Sequence, residues 1–345
     1  MRPTLPDSAT VFSTAGLPAA RRVELWEEHN ATALIGLAVH APRPLDASER
    51  NLPLSHVHLA RVTATAHVVE RSAEIISRNP ADAVAVYLSL RGESWFRHDG
   101  GAQALQPGAV VACDADRPFA RGFGRGLEEV VVKVPGGTLA SRAGRPWPAT
   151  GPAPVITSAA SGPGAARPGD PYARALARMA SRATAATAPV AADEGTLLDL
   201  VAVLIAGRQV AQATSHRAAA KSYIEDHLTD PCLGAEQAAS AIGISTRQLT
   251  RVFAADDTSV PRHILGRRLE LAYSLLATAA GAGATVADVG ARCGFTSMTH
   301  FSHAFAEHFG LRASAVRAGA GFSFPPSSAP QGLSGAAACP QSRYA

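Results

Sequence analysis

The sequence predicts an α+β protein in which an antiparallel β barrel or sandwich is followed by a helical segment and an all-α domain with two helix-turn-helix modules. Three observations support this prediction. The chain has 345 residues, which is enough for about two domains. Residues 55–135 alternate short apolar runs with turn residues, whereas residues 216–317 have helical apolar spacing throughout. Hydrophobic residues make up 47% of the chain and charged residues 17%, which excludes a mainly disordered protein.

The predicted strands lie in residues 1–140, where runs such as AVAVYLSL, GAVVACD and LEEVVVKV are rich in β-branched residues. Arg91-Gly92, Asp99-Gly100-Gly101 and Pro107-Gly108 separate these runs and supply the backbone angles that hairpin reversals need. Ahead of the strands, residues 17–37 have helical spacing, with a proline in the first turn.

The middle of the chain predicts a linker followed by two helices. Residues 141–170 are rich in proline, glycine and small residues and are expected to bury little. Helical stretches follow at 172–188 and 193–212, and their apolar faces could pack on the β domain, on each other or on a second chain. We therefore expect residues 171–214 to form a two-helix linker or dimerisation segment. Residues 320–345 have the composition of a disordered tail.

The first helix-turn-helix pattern is AEQAASAIGISTRQLTRVF, at residues 235–253. Gly243 permits the tight turn, and Ser245 caps the second helix with Gln248 three residues later, which is a capping-box pattern. Apolar residues would hold the two helices together: Ala239, Ile242, Ile244, Leu249 and Val252. Four side chains would then face outward toward a DNA groove: Thr246, Arg247, Thr250 and Arg251.

The second pattern is TVADVGARCGFTSMTHFSHAF, at residues 285–305. Gly294 takes the turn, Ser297 is the expected cap, and Phe301 and Phe305 are the expected buried anchors. The residues expected to be exposed are Met298, Thr299, His300 and His303. Between the modules, residues 261–279 predict one helix about 28 Å long, at about 1.5 Å per residue. Such a spacer would set two recognition helices into successive major grooves, about 34 Å apart.

These residues resemble the AraC/XylS family of transcription regulators. The resemblance rests on ISTRQLTRVF, TSVPRHILGRRLELAYSLL and VADVGARCGFTSMTHFSHAFAEHFG. The stretch LSLRGESWFRHDGGAQALQPGAVVACDADRPF also resembles the cupin-like AraC-binding domain of some members. The resemblance implies a cupin-like sensor domain at residues 1–140 and an AraC-type double helix-turn-helix domain at residues 215–319.

The family pattern also implies which residues meet DNA. Base contacts fall on Arg247, Thr250 and Arg251 in the first module and on Met298, Thr299 and His303 in the second. Phosphate contacts fall on Ser245, Gln248 and Ser297, through side chains or helix N-terminal amides. Thr246 and His300 lie on the same predicted faces and complete the expected DNA-binding set.

The chain departs from the family pattern at four positions. Asp257 stands where glycine is usual, Ala313 and Val316 where proline and tyrosine are usual, and His303 where arginine is frequent. Histidine cannot make the bidentate contact with guanine that arginine makes. We therefore expect the second module either to read the base sequence less strictly than the first or to serve mainly to position the protein.

The DNA-binding third has no excess of positive charge, because residues 221–317 contain nine basic and nine acidic residues. DNA affinity must then depend on where the arginines lie. Those expected on or near the groove side are Arg247, Arg251, Arg262, Arg267 and Arg268. Their number predicts a log–log salt dependence with a slope of about 4 to 6 in magnitude.

The sequence contains no GxSxG, P-loop or GxGxxG in a strand-turn-helix context, so we expect no enzyme activity and no cofactor. His56 and His58 resemble half of a cupin metal site, but the further glutamate and histidine are missing at the required spacing, so no metal is expected. We expect the two close carboxylates Asp114 and Asp116 to form a turn or to pair with an arginine rather than to act in catalysis. The alternatives left open are a cupin-like enzyme with a DNA-binding appendage and a DNA-binding protein that needs no ligand.

A small barrel can hold a ligand between its sheets, so the β domain is the expected place for a small-molecule effector. The residues available to contact it are Tyr87, Trp95, Phe96 and Phe119, with Arg91 or Arg117 as an anchor for an anion. The four cysteines are widely spaced and predict reduced, buried thiols, and neither a secretory signal nor a membrane-spanning stretch is evident. As the family implies, we expect a cytoplasmic homodimer that binds double-stranded DNA, contacts RNA polymerase and more usually activates than represses.

Overall fold

The computed structural model describes residues 9–144, 154–159, 170–187, 189–206, 212–278 and 283–318. The chain divides into an N-terminal unit, residues 1–222, and a C-terminal unit, residues 223–345. The first is built mainly of strands and the second of helices. The prediction of an α+β protein with a β-rich first part and an all-α last part is confirmed.

The described strands all belong to the N-terminal unit: β1 (Thr10–Ser13), β2 (Ala38–His40), β3 (Ala47–Pro53), β4 (His58–Ala64), β5 (His67–Arg71), β6 (Ala83–Arg91), β7 (Ser94–His98), β8 (Gly101–Leu105), β9 (Ala109–Asp114), β10 (Phe119–Phe123), β11 (Leu127–Pro135) and β12 (Val155–Ser158). The helices of this unit are α1 (Arg22–Ala33), α2 (Ala73–Arg78), α3 (Gly136–Ala143), α4 (Pro171–Ala183), α5 (Glu194–Ala206) and most of α6 (Gln212–Asp226).

The strands form two antiparallel sheets, as the hairpin pattern predicts. The seven-stranded sheet has the order β1-β3-β4-β11-β6-β9-β12, and the five-stranded sheet has the order β2-β5-β10-β7-β8. The predicted reversal at Arg91-Gly92 places Gly92 at a φ of 89°. A Cβ at this glycine would lie 2.3 Å from the carbonyl oxygen of Gly126, so the close approach of the two turns requires glycine here.

The central strands of the seven-stranded sheet are buried on both faces. On one face, Ala85, Tyr87 and Val131 join the apolar cluster that also contains Phe96 and Phe119 of the five-stranded sheet. On the other face, alternate residues of the same strands join a cluster with α3, α4 and α5: Val84, Val86, Leu88, Val130, Val132 and Val134. A strand buried on both sides has a continuous apolar run rather than an alternating one, which explains the run AVAVYL at the start of β6.

The helices predicted between the two main parts pack on the sheet and on each other. Leu176 and Met179 of α4 and Leu197 and Leu200 of α5 belong to the apolar cluster on the helix-covered face of the seven-stranded sheet. All residues of α5 from position 196 to 204 are buried within the unit. Most of the predicted 141–170 linker lies outside the described residues, but β12 within it pairs with β9. The predicted tail at 320–345 also lies outside them.

The cysteines differ in their environments. Cys113 and Cys293 are buried and free, as the sequence predicts. Cys232 is exposed, so the prediction of a buried thiol is wrong at this position. Cys339 lies outside the described residues.

In the C-terminal unit, the helices after α6 are α7 (Ala235–Ala241), α8 (Thr246–Ala254), α9 (Val260–Thr278), α10 (Val286–Arg292), α11 (Met298–Phe309) and α12 (Ala313–Arg317). The predicted spacer corresponds to α9, which has 19 residues. Leu269, Ala272 and Leu276 of α9 pack in one apolar cluster with Phe301 and Phe305 of α11. The spacer helix is therefore part of the core of the second module.

A buried carboxylate, Asp199 of α5, ties three helices of the N-terminal unit together. Asp199 is fully buried and accepts hydrogen bonds from Arg142 of α3 at 2.6 and 2.9 Å and from Arg217 of α6 at 2.7 and 2.8 Å. The ammonium group of Lys221 lies 3.7 Å away. Buried pairs of this kind are sensitive to the loss of one member, because the others stay in a low-dielectric environment.

We expect Asp199→Ala to lower the free energy of unfolding by about 3–5 kcal/mol, because Arg142 and Arg217 lose their shared acceptor inside the protein. Urea unfolding of the full chain measures this. The control is Glu24→Gln, since Glu24 pairs with Arg21 while 58% of its side chain is exposed, and we expect a change within about 0.5 kcal/mol there. Equal stability of D199A and the original chain would show that the ion cluster does not hold these helices.

Candidate DNA interface and effector site

The first helix-turn-helix module forms as its turn and cap residues predict. Gly243 follows α7 with a φ of 71°, and the amide of Ile244 donates to the carbonyl of Ala239 at 3.0 Å, which closes the turn. The hydroxyl of Ser245 then accepts from the amide of Gln248 at 3.2 Å. This bond satisfies one of the free amides at the start of α8 and fixes where the helix begins.

The outer face of α8 carries the predicted groove-facing residues. Leu249 and Val252 are buried and hold the helix against the unit. The residues Thr246, Arg247, Thr250 and Arg251 are all exposed, and Gln248 is half-buried. Two permanently charged guanidinium groups therefore lie side by side on one exposed helix face.

The second module has a complete capping box at its first helix. The hydroxyl of Thr285 accepts from the amide of Asp288 at 3.1 Å, and a carboxylate oxygen of Asp288 accepts from the amide of Thr285 at 2.8 Å. These bonds from the Thr285 side chain and backbone lower the pKa of Asp288. After the turn at Gly294, whose φ is 84°, Ser297 caps α11 by accepting from the amide of His300 at 3.3 Å.

The outer face of α11 is less charged than that of α8. Phe301 and Phe305 are fully buried, as predicted, and Thr299, His300 and His303 are exposed. Met298 differs from the prediction: it is half-buried and packs against the apolar cluster of the module, with its sulfur 3.0 Å from where a Cβ on Gly290 would lie. Its thioether fills the space that the missing side chain of Gly290 leaves, so the expectation that Met298 is exposed is wrong.

Two arginines that were expected near the groove side instead bind other groups of the C-terminal unit. Arg267 is 4% exposed, and its guanidinium pairs with Glu225 of α6 at 2.5 Å and also with Glu270. Arg268 donates to the carbonyls of Leu228 at 2.9 Å and of Asp230 at 2.5 Å. Their expected role on the groove side is therefore wrong, and they hold α9 against the segment before α7.

The departures from the family pattern have structural explanations. Asp257 adopts a φ of 52°, a left-handed conformation for which glycine is the usual residue and aspartate a tolerated one. Ala313 and Val316 are buried in the apolar cluster of the second module, so they close the core in place of a proline and a tyrosine. His303 is 72% exposed, and its Nδ1 lies 3.7 Å from a carboxylate oxygen of Glu307.

The six expected effector residues do not converge on one place. Phe96, Phe119 and Arg117 line a depression that encloses about 10 Å³, which is room for roughly one water molecule. Arg117 pairs there with Asp99 at 2.5 Å. Tyr87 is buried between the sheets, with its ring 6.0 Å from that of Phe119.

The other two expected effector residues lie away from the interior. Trp95 is next to the buried Phe96 on β7 and therefore points to the opposite face of its sheet, where Arg97 lies 5.7 Å from its ring. The side chain of Arg91 is 83% exposed and lies 3.3 Å from Glu128. Strand alternation, counted from Phe96, is the signal that could have excluded Trp95.

Sequence reasoning missed a buried polar group between the sheets. Arg121 of β10 donates to both carboxylate oxygens of Glu129 of β11, at 2.9 and 2.5 Å, and its guanidinium lies 3.7 Å from the ring centre of Tyr87. Burial raises the pKa of the Tyr87 phenol, whose hydroxyl has no hydrogen-bond partner. A second buried carboxylate, that of Glu49 on β3, has no hydrogen-bond partner on either oxygen.

The two aspartates that precede Arg117 have a structural role, as predicted. A carboxylate oxygen of Asp116 accepts from Arg71 at 2.9 Å, and its two oxygens accept from the amides of Ala81 and Asp82 at 2.8 and 2.7 Å. Burial opposes ionisation of Asp116, but these amide and guanidinium donors lower its pKa below the usual range. Asp114 accepts from the amide of Asp116 at 2.8 Å, while burial raises the pKa of Asp114.

The two histidines that resemble half of a metal site have separate partners. The ring Nε2 of His58 lies 2.6 Å from the side-chain oxygen of Asn51, and the ring of His56 faces Glu194 at 3.7 Å. Burial lowers the pKa of His58. Within the part of the chain that the structure describes, no three histidine, cysteine, aspartate or glutamate side chains are grouped as a metal site. The described helices also include none long and apolar enough to cross a bilayer.

Comparison with known proteins gives matches to both parts of the chain. The family described as an AraC-binding-like domain matches residues 29–220, and the family described as a helix-turn-helix domain matches residues 238–319. The transcriptional activator NphR from Rhodococcus sp. is 28% identical over 277 residues, which cover 78% of this chain and 79% of NphR. The transcriptional activator RhrA from Rhizobium meliloti (strain 1021) is 30% identical over 100 residues, 29% of this chain and 32% of RhrA. The crystal structure of the AraC-like transcriptional activator CuxR covers 78% of this chain and 96% of its own, with 20% identity and a TM-score of 0.44.

The exposed and buried arginines should respond differently to substitution. We expect Arg251→Ala to weaken binding to a specific DNA site by about 1–3 kcal/mol and to leave the free energy of unfolding unchanged. Arg267→Ala is the matched control, and we expect it to lower the free energy of unfolding by about 3 kcal/mol because the charge facing the buried Glu225 is removed. Fluorescence anisotropy with labelled DNA and urea unfolding measure the two effects. Unchanged specific affinity in R251A would show that α8 does not read the DNA.

Proposed function

The chain belongs to the AraC/XylS family of transcription regulators, and we propose that it binds promoter DNA through both helix-turn-helix modules in response to a small-molecule effector held by its N-terminal unit. It is a DNA-binding transcriptional regulator. The observation that supports the proposal best is the exposed face of α8, where Arg247 and Arg251 stand on a helix fixed by the Ser245 cap.

The two modules would contribute differently to DNA recognition. Arg247 and Arg251 can each make a bidentate contact to guanine in the major groove, so the first module would supply most of the sequence discrimination. The exposed face of α11 offers threonine and histidine side chains, and its capped N-terminus would hold a phosphate through backbone amides. The second module would therefore mainly position the protein on the duplex, with Ser297, Thr299, His300 and His303 as its contacts and Met298 as a packing residue.

The N-terminal unit would be the sensor. A ligand can shift a regulator between two states only through different affinities for them, and the polar side chains between the two sheets offer a place where a ligand could make such contacts. We propose Tyr87, Phe96, Arg117 and Phe119 as residues near the effector. Trp95 and Arg91 lie outside the interior, so any contact they make with the effector would be at the surface of the unit.

The remaining parts of the proposal concern assembly and output. We propose a homodimer in the cytoplasm that contacts RNA polymerase and activates transcription. The relatives NphR and RhrA are named as transcriptional activators, which favours this sign of regulation and a regulator over an enzyme. Bound metal in the purified protein, or turnover that is lost on substitution of His56 or His58, would instead favour the enzyme alternative.

Footprinting of the purified protein on fragments of its own genomic DNA tests this function. We expect protected sites with two contacts about one helical turn apart, because α9 separates the two modules by one rigid helix. Protection should disappear in R251A, whereas Glu236→Gln, on the exposed face of α7, is the control that should retain it. Uniform protection of all fragments, or none with or without cell extract, would contradict sequence-specific binding.

The salt dependence of DNA affinity should be shallower than the number of arginines implies. With Arg267 and Arg268 committed to the interior, three of the five arginines expected near the groove side remain exposed: Arg247, Arg251 and Arg262. We expect a log–log slope of about 3 in magnitude for one chain on one site, below the value of about 4 to 6 expected from the sequence. A titration of affinity against salt checks this, and a slope near zero would exclude phosphate contacts.

A further inference from the structure

Glu49 is a buried carboxylate whose only ion-pair partner among the described residues is His29, which is charged only when its ring is protonated. It lies on β3 with none of its surface exposed, and neither carboxylate oxygen has a hydrogen-bond partner. The alternation of β3 places it on the same face as Ala47, which belongs to the apolar cluster between the two sheets. Glu49 therefore points into the interior of the sensor unit.

The polar side chains next to Glu49 do not donate to it. The Nε2 of His29 lies 3.6 Å from one Glu49 oxygen, which is beyond hydrogen-bond distance, and 3.3 Å from the side-chain amide of Asn51. Asn51 in turn pairs with His58 at 2.6 Å.

A second glutamate on the same sheet shows how the protein compensates a buried carboxylate elsewhere. Glu49 pairs with Val62 across β3 and β4, and Val62 pairs with Glu129 across β4 and β11, so the two glutamates stand in one cross-strand row. Glu129 is 5% exposed and receives both donors of the Arg121 guanidinium. Within this row, Glu129 pairs with a permanent cation, Arg121, whereas Glu49 faces only His29, which carries a charge only when protonated.

A charge buried without a partner is costly, because it loses its hydration and gains no hydrogen bond in return. Natural proteins retain a costly group of this kind when it contributes to function rather than to stability. A carboxylate can only accept hydrogen bonds, so its partner must be a donor. A cation supplies both the donor and the compensating charge, whereas an anion would be repelled.

Aromatic rings cover Glu49 on the solvent side. Phe12 is its direct cross-strand partner on β1, and the Phe12 ring stacks on the His29 ring with 4.2 Å between their centres. Trp26 of α1 lies 6.0 Å from Phe12. Both Phe12 and His29 are partly exposed, so separation of this ring pair would open a short route to the carboxylate. Aromatic faces next to a carboxylate are a common setting for an organic ammonium group.

We propose that Glu49 is the anchor for the effector, and that the effector carries a protonated amine next to an aromatic or apolar body. The ammonium group donates to the carboxylate oxygens of Glu49, and the rings of Phe12, Trp26 and His29 contact the body of the ligand. This inference rests on the proposed sensor role of the N-terminal unit. It replaces the anionic effector that Arg91 and Arg117 would have anchored, since both arginines already face acidic side chains.

Thermal unfolding of the full chain with three matched probes tests the proposal. Benzylamine, benzyl alcohol and benzoate share one ring and differ in charge, and we compare them at equal concentration. We expect benzylamine alone to raise the Tm, since a ligand that binds the folded state stabilises it by mass action. Equal or greater stabilisation by benzoate, or no stabilisation by benzylamine, would overturn the proposal.

Substitutions then locate the binding site. In Glu49→Gln we expect the Tm without ligand to be equal or higher and the benzylamine shift to be lost. The controls are Glu129→Gln, which should lower the Tm but retain the benzylamine shift, and Glu70→Gln, a half-buried glutamate of β5 that should change neither. A benzylamine shift that survives in E49Q would refute the role of Glu49. DNA binding by the same proteins is measured separately, so a failure of DNA recognition with intact amine binding would contradict the proposed function alone.

Discussion

Burial of both faces of the central strands of the seven-stranded sheet is the constraint on which the N-terminal unit depends. One face closes against the five-stranded sheet and forms the interior where Glu49, Tyr87 and Glu129 lie. The other face closes against α3, α4 and α5, and Asp199 fixes α3 and α6 to α5 there. Side chains that point inward from the central strands of this sheet are cut off from water, so a polar group there needs a partner inside the protein. Glu129 with Arg121 is such a pair, and the carboxylate of Glu49 and the hydroxyl of Tyr87 are the exceptions.

In the C-terminal unit the arginines divide into two kinds. Arg247 and Arg251 project from a capped recognition helix into solvent, whereas Arg267 and Arg268 hold the spacer helix against the segment that precedes the first module. The number of arginines in this third of the chain therefore overstates how many are available to contact DNA. On the proposed function, sequence specificity would depend on these few exposed guanidinium groups rather than on a general basic surface.

The turns and the starts of helices could be predicted from the sequence, because they depend on residues that are close together in the chain. Gly243 and Ser245 determine the turn and the start of α8 through contacts within five residues. The roles of Arg267 and Glu129 were not predictable, because their partners lie 42 and 8 residues away and are set by packing. The packing of Met298 was hidden for the same reason, since it depends on the missing side chain of Gly290 in another helix. Trp95 could have been placed on the outer face by counting along its strand.

The chain has two lysines, Lys133 and Lys221, among its 32 basic residues, and the structure places neither on a recognition helix. Lys221 is buried beside Asp199, and Lys133 is bound to a backbone carbonyl. Every cationic side chain on the exposed faces of α8 and α9 is therefore an arginine, which keeps its proton at any physiological pH and is not a substrate for lysine acetylation. The positive charge that these two helices expose is therefore insensitive to pH and to lysine acetylation, in contrast to the exposed histidines of α11, His300 and His303.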